Sequence, residues 1–224
     1  MATTKVVDIL DRASIILQDN THVRYPNSEL LKFFNDAQKE VVLHRPDANM
    51  VNTTFACGSG SKQSLPSAAL RLVDVVRNVG GRAVTMVERR ILDETLPSWH
   101  ETAAGSNGIE HFIYDPADPK NFYVYPEAAS GTHSLEIVYA SAPSDITISN
   151  FDTDTTTITL DDVYANAILD YILYRAYQKD SEYAGNSQRA MMHYQSFTNA
   201  LGIKTQADSA VSPVPDVTAQ RMNA

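Results

Sequence analysis

The sequence is notable first for what it has little of. It holds one cysteine, Cys57, among 224 residues. No internal disulfide can form, and folding in a reducing cytosol is expected. No apolar run reaches the roughly 18 residues that a membrane-spanning helix needs, so no membrane partner is expected. The start, Met1 to Lys5, lacks the apolar stretch of a secretory signal. Cations are scarce too: 18 Lys and Arg against 27 Asp and Glu give a net charge of -9. That argues against tight non-specific nucleic-acid binding, which draws its affinity from cations neutralising phosphates. It leaves room for DNA to pass nearby. A chain of this length buries roughly 70% of its unfolded surface, so it folds without disulfides or structural metal.

Chemistry-bearing patterns are also missing. Six histidines occur, His22, His44, His100, His111, His133 and His193. None has HExxH spacing or lies beside a CxxC pair, so no metal site is expected. Cys57 sits in Ala56-Cys57-Gly58-Ser59-Gly60 with no nucleophile signature around it, and a buried structural thiol is the simpler account. Gly58-Ser59-Gly60-Ser61-Lys62 lacks the spacing of a phosphate loop. The run from Asp152 to Thr156 opens like a calcium loop, but Thr157 and Val163 stand where the glycine and the last acidic ligand belong. The expectation is no catalytic residue, no cofactor, no metal and no enzyme.

What is present reads as helix, then strands, then helix. Val6, Leu10, Ala13 and Leu17 repeat at helical spacing. Asp19 and Asn20 mark a turn. Pro26 or Asn27 opens a second helix with Leu30, Phe33, Phe34, Ala37, Val41 and Val42 on one face. From Met50 to about Thr159 short β-branched and aromatic runs alternate with turn formers. Leu70 to Val79 alternates loosely, and Gly80-Gly81 predicts a hairpin with Ala83 to Glu88. Arg89 to Leu96 predicts a short helix. Ile109 to Tyr114 and Phe122 to Tyr125 predict a strand pair, and Ser134 to Ala140 a strand burying Leu135, Ile137 and Tyr139. Asp161 is expected to cap a third long helix. A fourth runs from Ser187 to Leu201, with Ala190, Met191, Tyr194, Phe197 and Leu201 facing in and Gly202 as its stop.

The expected class is α+β. Residues 1–49 form an N-terminal helical hairpin and 161–203 a C-terminal one, together a helical bundle. Residues 50–160 form a β-rich insertion lobe, and 204–224 a flexible C-terminal arm too poor in large apolar groups to order alone.

Tyrosine is abundant, with 11 copies. Tyr164, Tyr171, Tyr174 and Tyr177 crowd one helical stretch around Arg175. Such rings serve equally as amphipathic core or as a subunit interface. They are candidate partner-binding residues, as are Lys204, Val211, Pro213, Val214 and Pro215 of the arm.

Several blocks resemble a known family. They are Ile9 to Ala13, Tyr25-Pro26-Asn27-Ser28-Glu29-Leu30, Phe34 to Glu40, Arg45-Pro46-Asp47-Ala48, Tyr114-Asp115-Pro116, Phe122 to Pro126, Asp170 to Tyr177, Asp180 to Asn186, and His193-Tyr194. Together they resemble the head-to-tail adaptors, or connectors, of podovirus-like phages, of the tail tubular protein A type. The likeness spans most of residues 6 to 201. It implies a structural virion protein, made in the host cytoplasm, with no cofactor or reaction. It also implies a homo-oligomeric ring, usually dodecameric, between the portal protein and the tail nozzle protein, with genomic DNA crossing its lumen. A head-completion or tail-terminator protein is the nearest alternative, and a small hydrolase with an unrecognised site a more distant one.

Overall fold

The computed structural model describes residues 2–104, 108–183 and 185–211, with backbone alone at 207 and 209–211. Its elements in chain order are α1 (Val6–Leu17), α2 (Asn27–His44), β1 (Met50–Ala56), β2 (Gly60–Ser64), β3 (Ala69–Asn78), β4 (Thr85–Met86), α3 (Arg89–Thr95), β5 (His111–Ile113), β6 (Asn121–Ala128), β7 (Ser134–Ser141), α4 (Ala165–Lys179) and α5 (Asn186–Val211). The protein is mixed α+β and divides into two units. The first takes the residues up to Arg45 and from Ser144 onward; the second is Pro46–Pro143.

The β-rich unit therefore ends before residue 160. Polar side chains on α2 tie the stretch after Ser144 to the helices. Asn35 accepts from the Ile146 N–H and donates to its carbonyl, both at 2.9 Å. Gln38 accepts the Thr159 N–H at 3.0 Å, and Lys39 pairs with Asp145 at 2.6 Å. None of these pairings follows from local sequence pattern.

In the first unit, α1 buries Val6, Leu10 and Ala13 of the expected stripe together with Ile9, while Leu17 at its end is half-buried. It ends at Gln18 in the left-handed region, φ 58°, whose N–H returns to the Ile15 carbonyl. The following loop is wound around Asp19, whose carboxylate accepts the N–H groups of Val23, Arg24 and Tyr25 at 3.2, 2.8 and 2.7 Å. α2 starts directly after Pro26, whose carbonyl takes the N–H of Glu29 and Leu30. It buries Leu30, Leu31, Phe34, Ala37, Val41 and Val42. α4 is the hub, packing against α1, α2 and α5, and its Ile168, Ile172 and Ala176 are fully buried.

Two helix ends differ from expectation. Asp161 makes no side-chain cap to α4. A 3-10 turn, Asp162–Tyr164, precedes the helix. The Asp162 carboxylate instead takes the N–H groups of Thr4 and Thr3, at 2.8 and 2.9 Å, and the Thr3 hydroxyl. Those donors, the Thr4 N–H foremost, hold its pKa well below the usual carboxylate range. At the other end, α5 does not stop at Gly202 but continues to Val211. The described part of the expected arm is thus helix; residues 212–224 lie outside the described ones.

The second unit holds two sheets, ordered β1-β7-β3 and β2-β6-β5-β4. They share one core, in which Leu72, Val75, Leu135 and Ile137 of the first meet Phe112, Phe122 and Val124 of the second. A side cluster packs Trp99 against Leu92 and Ile113. The hairpin at Gly80-Gly81 forms, with Asn78 N–H on the Arg82 carbonyl and Val84 N–H on that of Val76. Its return strand then leaves β3, and Thr85–Met86 pairs in parallel with β5.

β3 repeats every three residues rather than alternating. Ala69, Leu72, Val75 and Asn78 are buried and all between are exposed. Each repeat holds a register shift against β7, between Ala69 and Arg71, Leu72 and Asp74, and Val75 and Arg77. Each is one extra residue, a β-bulge. The extra residues are Leu70, Val73 and Val76, and all three side chains are exposed.

Asn78 closes the strand by acting as a piece of backbone. Its amide accepts the Ile109 N–H at 2.9 Å and donates to the Ile109 carbonyl at 2.7 Å. Gly108, at φ 74°, lies so close that a Cβ there would stand 2.7 Å from the Asn78 Oδ1. Glycine is therefore required by both conformation and space.

Candidate partner-binding surface

Cys57 is buried, and burial pushes its thiol up to about 11, so it stays protonated and inert. The glycine-rich segment beside it is a turn fixed by Gln63, which accepts from the Gly58 N–H and donates to the Gly58 and Gly60 carbonyls. In the Asp152 segment Asp152 N–H bonds Asn150 Oδ1 and Thr156 N–H bonds Asp154 Oδ1, while the Thr156 carbonyl accepts the Val6 N–H of α1. Among the described residues no group of three or more His, Cys, Asp or Glu is placed to hold a metal ion.

Sequence reading missed one nucleophile-like pair. The Ser61 hydroxyl lies 2.8 Å from the His100 Nδ1. Trp99 stacks on that imidazole at 3.6 Å, with Tyr123 against its edge. Ser61 is buried and His100 half-buried.

The tyrosines divide by depth. Tyr164, Tyr171 and Tyr177 are buried. Tyr171 meets Phe197 edge-on at 5.3 Å, which locks α4 to α5. Tyr177 stacks on His193 at 5.7 Å, and His193 Nδ1 is 2.9 Å from Asp170. The Tyr164 ring lies 5.7 Å from the Lys204 ammonium. Burial raises the Tyr171 pKa.

Tyr174 is half-buried and differs from these three. It reaches 5.0 Å from Tyr194, and the two rings line a cleft of about 320 Å³ between α4 and α5. Gln178, Ser181, Ser187, Ala190 and Met191 complete that cleft. Arg175 is half-buried with its guanidinium 5.9 Å from the Phe33 ring. Lys204 pairs with Asp208 within α5. Val211 ends α5 with its side chain outside the described atoms, and Pro213, Val214 and Pro215 lie outside the described residues.

Met191 was expected to face in, yet it is 65% exposed, and Met192 beside it is 60% exposed. Tyr183 is exposed too, with the Arg24 guanidinium 4.3 Å over its ring. Met191, Tyr174 and Tyr194 thus form an apolar cleft open to solvent, a shape that accepts a partner side chain.

A clasp is built from the Tyr25 and Asp180 blocks. Asp180 accepts from the Arg24 guanidinium at 2.7 Å and from the Tyr25 hydroxyl. Lys179 pairs with Glu29 at 2.6 Å. Partial burial pushes the Asp180 pKa up, but the bonds from Tyr25 and Arg24 outweigh it and the net shift is down. Burial and the same carboxylate push the Tyr25 phenol up. The clasp joins the α1–α2 loop to the end of α4.

A family model described as SU10 adaptor protein matches residues 4–218. The chain belongs to that family. No match to a curated protein accompanies it. It is therefore a phage structural adaptor and a virion component.

Proposed function

We propose that the chain forms a head-to-tail ring of the podovirus tail tubular type, dodecameric, between the portal protein and the tail nozzle protein. Genomic DNA passes through its lumen without specific binding. Membership of an adaptor family supplies the premise, since an adaptor contacts other head and tail proteins. The observation that carries the reading is a pair of unlike apolar surfaces, one on each unit. The first is the Tyr174–Tyr194 cleft with Met191 and Met192. The second is the exposed row Leu70, Val73, Val76 and Val79 on and just beyond β3. A ring contact is heterologous and needs two different patches, whereas a two-fold dimer needs only one. The net charge of -9 supports DNA transit, because an acidic wall does not hold phosphates.

In this reading Tyr174, Arg175 and Met191 meet a neighbouring subunit. Tyr164, Tyr171 and Tyr177 hold the helix face behind them. Lys204 sits at the root of the segment that carries Val211, Pro213, Val214 and Pro215, which docks on the portal or an adjacent subunit. Electron microscopy of the purified chain, alone and with portal, tests the whole proposal. Rings stacked coaxially on the portal are expected. A chain that leaves the portal undecorated at saturating concentration overturns it.

A further inference from the structure

The last turns of α5, from Ile203 to Val211, break three local rules. Gly202 stands in the helix interior, where it weakens helix. No residue from Gly202 onward whose side chain is described is buried, and Ile203 is 68% exposed, so among the described side chains none is packed into an apolar core. Asp208 lies in the final turn, where the carbonyl end of the helix disfavours a carboxylate.

Arg45 acts against all three. Arg45 follows α2 directly, its N–H on the Val41 carbonyl at 2.7 Å, so its backbone is fixed. Its side chain is only 7% exposed and donates to Asp208 at 2.6 Å and to the Thr205 hydroxyl at 2.9 Å. Lys204 adds a second cation to Asp208 at 2.9 Å. Arg45 is also the last residue of the first unit before the chain enters the second.

The geometry points to an electrostatic latch: Arg45 holds Asp208 and so extends α5 past Gly202, and with the latch open the helix ends at Gly202. The latch is a conformational device of the single chain, so it stands or falls separately from the ring.

Hydrogen exchange by mass spectrometry on the full chain tests it. Asp208→Asn removes the charge while keeping the shape. Amides of 203–211 then exchange about tenfold faster, while those of Ala190 to Leu201 keep their protection, because opening is confined to the extension. A Cβ at Gly202 meets nothing within 4 Å, so Gly202→Ala strengthens the helix without a clash. Added to Asp208→Asn, it restores protection at 203–211. Unchanged exchange in Asp208→Asn, a loss spreading back through Ala190 to Leu201, or no recovery in the double variant overturns the latch.

Discussion

The two units are held together in different ways. In the first, helices meet along apolar stripes, and the loops and ends are fastened by charged and polar pairs far apart in sequence. Arg24–Asp180, Lys179–Glu29, Lys39–Asp145 and Arg45–Asp208 all join segments more than a hundred residues apart. In the second, two sheets share a continuous core, and the notable polar side chains stand in for backbone. Asn78 and Gln63 do so at a strand end and a turn. Helices satisfy their own backbone and leave only their ends to be fastened. Sheets leave edges, and here side chains fill them.

This contrast can be broken at several points. The largest effect belongs to the helical core. Phe34 is fully buried, and Phe34→Ala should cost about 3–5 kcal/mol, read from the denaturant midpoint of the far-ultraviolet signal. A loss under about 1 kcal/mol would mean that the helices do not depend on this stripe.

Next comes the backbone mimic in the second unit. Asn78→Ala leaves the Ile109 N–H and carbonyl unpaired in a buried setting and should cost about 2–3 kcal/mol. Trp99, the single tryptophan and fully buried in that unit, reports it by fluorescence. An intact midpoint would show that the pairing is dispensable.

The clasp is weaker, because Arg24 is 44% exposed and its pairing is screened by water. Asp180→Asn should cost roughly 1 kcal/mol at neutral pH. The sign with pH follows from the lowered folded pKa. The contribution is full above the ordinary carboxylate value of 3.8 and is lost as pH falls through the lowered one. The difference between wild type and variant should therefore shrink below pH 3.8. A constant gap across an acid titration would remove Asp180 from the clasp.

The smallest stability effect is expected at Met191, which is exposed. Met191→Ser should leave the midpoint within about 0.5 kcal/mol while reducing assembly on the portal, seen as fewer decorated particles. Full decoration would move the contact elsewhere.

Legibility in the sequence follows the same divide. α1, α2 and β7 were readable because their apolar spacing of three and four, or of two, matches the element that formed. β3 was not. Leu-Val-Asp-Val-Val reads as loose alternation, and the bulges exist because ten residues of β3 lie along a shorter run of β7. The tyrosines of α4 were found as a group. Helical spacing did not separate Tyr171, covered by Phe197, from Tyr174, open to a cleft, because α5 decides that.

By itself the sequence determined the α+β class, the order helix–strand–helix, the acidic surface and the single unpaired thiol. These rest on local periodicity and composition, which act over a few residues. Only the tertiary structure decided the period-three strand, the depth of each tyrosine, the boundary at Ser144 and the run of α5 past Gly202. Each of those depends on a partner distant in the chain, such as Asp208 on Arg45. No local pattern records which distant group will arrive, because arrival is settled by packing and charge in three dimensions.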